Sequence, residues 1–423
     1  FASRPVRSAG PCRAVAAMRR DERHATNSRE RGLALTIAGK VAIVGIGVSE
    51  FGRHLPDSQL ALGAKALRAA LADSGLRRAD IDGLSLHMGW PLGADYDRIA
   101  EVFGLEVDYV HQSWTHGRFV TSALQHAAMA IAAGMAEVVA CITAISFTRE
   151  KQILGGPGDH EGMREQGATH GENPVFGLTS PAAGAAFAMQ RYMALHGVTG
   201  AELAAVPIAL RQHAALNPQA LMRSKLTVED HQAARMIVDP LRLYDCSLIT
   251  DGAAVVLLTS AERARDLAQR PVAIAGMQGI RSGRSEFIFA PPNLGINQQP
   301  SGRVTPRERD LAVYRMAGVE RADIQGFYTY DAFSPLVLFA LERFGFCDAG
   351  EAARWVQGGR IGPGGALPVN TSGGLLSEAH VCGWNSIVEM VRQLRGEAGA
   401  RQIPDAACLQ WGTCWGDSVI LKG

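Results

Sequence analysis

The first sustained apolar run, Val41–Val48 (VAIVGIGV), has no polar face and reads as a buried strand that ends in a glycine turn. Residues 61–71 then carry apolar side chains at helical spacing, and Gly75 stands where a left-handed residue closes a helix. The alternation continues along the chain. A helix over 121–134 leads into a strand over 137–145, and a helix over 384–396 leads toward a strand over 407–412. The same spacing predicts helices over 185–196 and 199–217 and a strand over 253–259, and residues 270–280 open the second half. Strands that alternate with helices predict mostly parallel sheets covered by helices on both faces.

A repeat sets the architecture. GLRRADIDG at 75–83 recurs as GVERADIQG at 318–326, each copy after an amphipathic helix and before an extended segment, 84–87 and 327–330. The separation is too long for a solenoid period, so the copies are read as equivalent elements of two similar halves. Between the halves, residues 151–183 are rich in Gly, Pro and His and have no apolar period. A loop of that length in a compact chain usually serves function, as a lid or a substrate wall.

Composition narrows the class. The 423 residues are 47% hydrophobic and 20% charged, as in a globular enzyme built of two or three packed units. A net charge of +1 supplies no field for nucleic acid or an anionic membrane, and runs such as 138–145 fall far short of the ~20 residues of a membrane span. Neither nucleic acid nor a membrane is therefore expected as a partner. The seven cysteines form no CxxC pair, which argues against a disulfide framework or a zinc ribbon and for a reducing cytoplasm. Residues 1–39 hold eight arginines, no lysine and no apolar period, and are expected to form a disordered extension. Gly45 and Gly47 give only GxG, read as a tight turn rather than a dinucleotide site, and no GxxxxGK[ST] loop is present.

Several local motifs act together. GLTSPAA (177–183) precedes RYM (191–193); HAALNP (213–218), DPLRLYDC (239–246), DGAA (251–254) and TSAERA (259–264) follow; NTSGG (370–374) precedes His380. From about Lys40 to the C-terminus this pattern resembles the lipid-transfer, or sterol-carrier, branch of the thiolase superfamily. The resemblance implies an α/β thiolase fold: two duplicated βαβαβαββ halves in a layered αβαβα arrangement. The halves would span 40–265, with a loop insertion over about 150–235, and 266–423. It further implies a homodimer, a small zinc-ribbon/OB-fold partner protein, a CoA thioester as substrate, and no cofactor.

Ordinary members of the superfamily carry the acyl chain on a cysteine just before the helix that residues 123–134 resemble. Here Gly117 falls at that place, and a one-residue slip brings His116; neither offers a thiol. By the same resemblance the second thiol falls on Gln410, while Cys414 sits in the neighbouring turn, either as a displaced thiol or as a small buried residue. His380 takes the place of the family histidine that helps bind the thioester oxygen, with Gly374 in the same loop. Ala379 and Val381 depart from the family's Gly and Pro. Tyr330 stands where ordinary thiolases carry Asn in an Asn-Glu-Ala-Phe motif, a feature similar to steroid side-chain-cleaving aldolases.

Claisen chemistry needs a carrier nucleophile, whereas retro-aldol cleavage of a β-hydroxyacyl-CoA needs a base, an oxyanion site and an acid to protonate carbon. Retro-aldol cleavage of a bulky, steroid-type substrate is thus the expected activity. An acyltransferase working through Cys414 or Cys382, and a non-catalytic acyl-CoA or lipid-binding protein, remain as alternatives. An ordinary phenol titrates near pH ~10, which suits Tyr330 to donate a proton rather than act as an anionic base. Asp331, Glu378 or a water held by His380 are the candidate bases, with Glu378 read first as a solvated charge.

Overall fold

The two halves build their sheets in the same strand order. A computed structural model describes residues 37–87, 95–113, 120–148, 180–281 and 311–423, and the expected extension falls outside these apart from 37–39. The strands are β1 (Val41–Val48), β2 (Gly83–His87), β3 (Tyr109–Ser113), β4 (Val138–Ser146), β5 (Met236–Val238), β6 (Leu241–Arg242), β7 (Asp251–Ser260), β8 (Val272–Gln278), β9 (Gly326–Tyr328), β10 (Cys408–Gly412) and β11 (Ser418–Lys422). Nine of them form one sheet in the order β3-β2-β4-β7-β1-β8-β11-β10-β9, and β5 and β6 form a separate hairpin. The halves meet where β1 pairs antiparallel with β8, through Ala42↔Ala273 and Ile43↔Val272.

Outward from that seam the pairing is duplicated. β7 and β11 run antiparallel to β1 and β8, β4 and β10 run antiparallel to those, and β2 and β9 are parallel to β4 and β10. β3 completes the first half, and Val369, bridged in parallel to Phe327, stands in its place in the second. A bulge skips Val44 in β1 and Ala275 in β8. Each bulge is followed by a glycine pressed on a helix backbone: a Cβ on Gly45 would lie 2.6 Å from the Ala70 carbonyl, and one on Gly276 2.5 Å from that of Val313. Gly45 and Gly47 therefore serve close strand-to-helix packing inside β1, not the turn that their spacing suggested.

The GLRRADIDG repeat has the same conformation in both halves. Gly75 and Gly318 are left-handed, short 3₁₀ turns follow at Arg78–Asp80 and Arg321–Asp323, and each closing Asp accepts from the backbone N–H three residues back, at 2.7 and 2.8 Å. Gly83 and Gly326 then open β2 and β9.

The expectation of mostly parallel sheets is corrected. Among the described residues the large sheet contains five antiparallel strand pairs and three parallel ones. β10 and β11 are joined by the short turn 413–417, which permits only antiparallel pairing, and β7 inserts antiparallel between β1 and β4 after the long excursion.

Alternate side chains of the strands feed two cores. Val138, Ala140, Ile142 and Ala144 pack toward α1 (Gln59–Ser74), whereas Val139, Cys141 and Ile145 face α2 (Val120–Ala132) and the second half. The same inner core takes in α3 (Pro181–His196), α4 (Ala205–Ala215), α5 (Ser334–Arg343) and α6 (Trp384–Arg395). The helix expected over 199–217 is split into Gly200–Leu203 and α4, because Pro207 has no N–H to offer the Leu203 carbonyl. Among the described residues no single helix is long and apolar enough to cross a membrane.

Candidate active site

Tyr330 leaves the end of β9 and His380 lies in the loop before α6; both are buried, and the phenol oxygen stands 3.3 Å from His380 Nε2. Aromatic rings enclose the pair. Phe147 faces the imidazole at 6.0 Å between centroids and Trp415 faces the phenol ring at 6.1 Å. Burial pushes the His380 imidazole down to about 4, against a hydrogen bond to the Leu248 carbonyl that works the other way. The ring is consequently neutral at pH 7, as a desolvated histidine should be.

The loop that carries His380 is fixed by backbone bonds. Thr250 Oγ1 accepts from the His380 N–H at 3.0 Å and donates to the His380 carbonyl at 3.1 Å. Asn370, at a φ of 48°, uses its side-chain amide as a strand residue would use its backbone, bonding Thr329 N at 2.9 Å and Thr329 O at 3.0 Å. The Asp331 carboxylate accepts from Leu375 N at 3.0 Å and Leu376 N at 3.1 Å. A Cβ on Gly374 would lie 2.3 Å from Asp331 Oδ2, so only glycine lets the loop close on that carboxylate. Burial raises the Asp331 carboxyl to about 7 while these N–H groups oppose it. Both Asp331 oxygens are thus occupied in holding the loop.

Glu378 is not the solvated charge that its sequence context suggested. It is buried, and accepts from Ser372 Oγ at 2.6 Å, Asn385 Nδ2 at 2.7 Å and Asn217 Nδ2 at 2.9 Å. Burial raises its carboxyl and the Ser372 and Asn385 bonds lower it. Three donors from three separate segments make it a junction of the His380 loop with α6 and with the residues after α4.

The two candidate thiols, Cys414 and Cys382, are not exposed. Cys414 is buried in the turn between β10 and β11, beside Trp415. Cys382 is buried with a φ of 53°, and burial pushes its thiol up to about 12. Gln410 lies inside β10, where it accepts from Tyr314 Oη at 2.8 Å and donates to Ser418 Oγ at 3.1 Å. Gly117, His116 and most of the loop 151–183 lie outside the described residues. Among the described residues no group of three His, Cys, Asp or Glu side chains is placed to hold a metal ion.

Sequence reasoning missed Leu248, Thr250, Asn217 and Phe147. Leu248 and Thr250 lie between the DPLRLYDC and DGAA motifs, and that placement was their only signal.

The family described as thiolase C-terminal domain-like matches residues 307–420. The 17-hydroxy-3-oxo-4-pregnene-20-carboxyl-CoA lyase of Mycobacterium tuberculosis is 39% identical over 369 residues, covering 85% of this chain and 92% of that protein. A steroid side-chain-cleaving aldolase of Thermomonospora curvata is 37% identical, over 85% of this chain and 91% of that protein. Among solved structures, the Ltp2-ChsH2(DUF35) aldolase superimposes with a TM-score of 0.80 at 34% identity, covering 92% of this chain and 99% of that one.

Proposed function

Because the chain belongs to the thiolase superfamily, in the lipid-transfer-type branch that includes steroid side-chain-cleaving aldolases, we propose that it cleaves a steroid-type β-hydroxyacyl-CoA by a retro-aldol reaction. The observation that carries this reading is the hydrogen bond between Tyr330 and His380 in an aromatic enclosure. It supplies a proton donor and a proton acceptor for a reaction that proceeds without a thiolate.

With the phenol as donor, Nε2 accepts and the single ring hydrogen falls on Nδ1. This puts His380 on the base side, in place of the enolate-donor role that the resemblance implied. The phenol oxygen takes the β-hydroxyl proton as its own hydrogen passes to Nε2. The Cα–Cβ bond breaks to give a ketone and a thioester enolate. The same proton then returns from the imidazolium through Tyr330 to Cα, so no outside acid is consumed. The net transfer runs from the substrate hydroxyl, a weaker acid than a phenol, to an imidazole at about 4, and so costs more than the ~8 kcal/mol that separates such an imidazole from a phenol at ~10. It becomes accessible as enolate charge develops within a few ångströms of the ring, since a nearby negative charge favours the imidazolium.

The CoA end is assigned to the segment after α4. Leu221 N donates to Glu378 O at 3.1 Å and Met222 N to Ser377 O at 2.9 Å, which brings the exposed cations Arg223 and Lys225 alongside the His380 loop. Opposite charge there suits the phosphates. The reaction as written needs no cofactor. The duplicated sheet supports halves at 40–265 and 266–423, and the free thiols among the described residues support a cytoplasmic setting. A homodimer working with a small zinc-ribbon/OB-fold partner completes the proposal; the DUF35 component named in the aldolase structure supports a partner protein.

The test is incubation of the protein, with and without such a partner, with a steroid β-hydroxyacyl-CoA. Release of a ring ketone and a short acyl-CoA, detected by mass spectrometry, is the expected result. Binding without release in both settings would favour a lipid-binding protein instead.

A further inference from the structure

We propose that residues 246–250 form a strap that holds Tyr330 and His380 in register, with Thr250 the positioning residue for the imidazole. The inference rests on the lyase reading above and extends it to groups outside the reacting pair.

One short segment reaches both residues. On the Tyr330 side, Ser247 N donates to Ala332 O at 2.9 Å, and Cys246 forms an antiparallel bridge with Phe333. On the His380 side, Leu248 N donates to Leu375 O at 3.1 Å, and Thr250 bonds the peptide groups on either side of His380. A hydroxyl that accepts from one of those groups and donates to the other fixes the His380 backbone and with it the direction of the ring.

Packing holds the strap firmly only at Thr250, which is buried; Cys246, Ser247 and Leu248 are half-buried and Ile249 is exposed. Its ends are also held. Asp245, buried at one end, accepts from Arg242 N at 2.9 Å and lies 2.9 Å from His231 Nε2. Asp251, buried at the other, accepts from Leu55 N at 3.1 Å, Thr148 N at 2.8 Å and Thr148 Oγ1 at 2.5 Å. Two anchored ends and a bonded middle describe a part that sets geometry. A loop that merely connected β6 to β7 would need neither.

The experiment compares wild type, Thr250→Val and Thr250→Ser, with histidine labelled in ¹⁵N and the His380 signals identified by their loss in His380→Asn. In Thr250→Val, kcat should fall about tenfold or more with KM within about twofold, because the reacting groups lose alignment while the CoA contacts stay. Thr250→Ser should recover most of the rate. Without substrate, the single-tautomer ¹⁵N signature of His380 should persist in wild type and Thr250→Ser and become a tautomer mixture in Thr250→Val. Wild-type kcat and an unchanged His380 signature in Thr250→Val would overturn the proposal, as would a Thr250→Ser variant as impaired as Thr250→Val. If Thr250→Val does not fold, Thr250→Ala carries the same expectations. A wild type that cleaves nothing removes the lyase reading alone, since the ring signature still decides the strap.

Discussion

The Thr121 hydroxyl donates to the Asp417 carboxylate, joining residues 296 positions apart. Thr121 lies in the first turn of α2, and Asp417 closes the β10–β11 turn that carries Cys414 and Trp415. Burial raises the Asp417 carboxyl, and the Thr121 and Thr413 hydroxyls favour its ionised form. Thr121→Val keeps the shape and removes one donor from a buried acid, which should cost about 1–3 kcal/mol. Urea unfolding should show a lower midpoint with an unchanged slope.

Tyr330→Phe and His380→Gln should each lower kcat by roughly a hundredfold or more in the ketone-release assay, while Tyr330→Phe leaves CoA-ester affinity nearly intact. The pH profile gives a second check. His380 is depressed from 6.5 to about 4, so its basic form is present above that value and lost below it. The kcat/KM curve should therefore show no histidine step near 6.5 and an acid limb close to pH 4; a step near 6.5 would remove His380 as the base.

Incubation with acetyl-CoA or a β-ketoacyl-CoA should leave the protein mass unchanged. The Cys382 thiol, raised to about 12 by burial, holds almost no thiolate at neutral pH. An acyl adduct on Cys382 or Cys414 would instead point to acyltransferase chemistry.

His213 should tie stability to pH. It is buried, bonds the Ile361 carbonyl through Nε2 at 3.0 Å, and is lowered from 6.5 to about 4 chiefly by burial. With the folded value below the unfolded one, the unfolded chain takes up the proton first, and stability is lost as pH falls from 6.5 through 4. At roughly 1.4 kcal/mol per pH unit this amounts to about 3 kcal/mol. The unfolding free energy of His213→Gln should gain on that of wild type by up to this amount between pH 6.5 and 4, and parallel curves would sink the assignment.

The duplicated halves were legible because RADI, with its flanking glycines, encodes a turn locally: Asp80 and Asp323 each bond a backbone group three residues back. His380 and Tyr330 were legible only because they stand inside motifs. The role of Glu378 was not, because its donors Asn217 and Ser372 lie 161 and 6 residues away, and the HAALNP and NTSGG motifs that hold them do not say that they converge on one carboxylate. Thr250 escaped notice for a related reason. Its partners are backbone groups, which have no signature in side-chain pattern. Strand direction was misread because alternation of helix and strand does not report the strands that return beside their own neighbours, as β7 and β11 do.

The β1–β8 seam pairs Ala42 with Ala273, and bulges flank it at Val44 and Ala275; both pairs of positions are 231 residues apart (273 − 42 and 275 − 44). Equivalent residues meeting antiparallel is the self-complementary contact that two identical subunits would make. In such an assembly any side chain favouring one chemistry would have to appear twice. Covalent union lifts that constraint. Where the second half carries Tyr330 against His380, the corresponding place at the end of β2 carries His87, whose Nδ1 accepts from the Trp384 indole at 2.8 Å. One copy can thus be given over to reaction and the other to support, a division of labour closed to a symmetric pair.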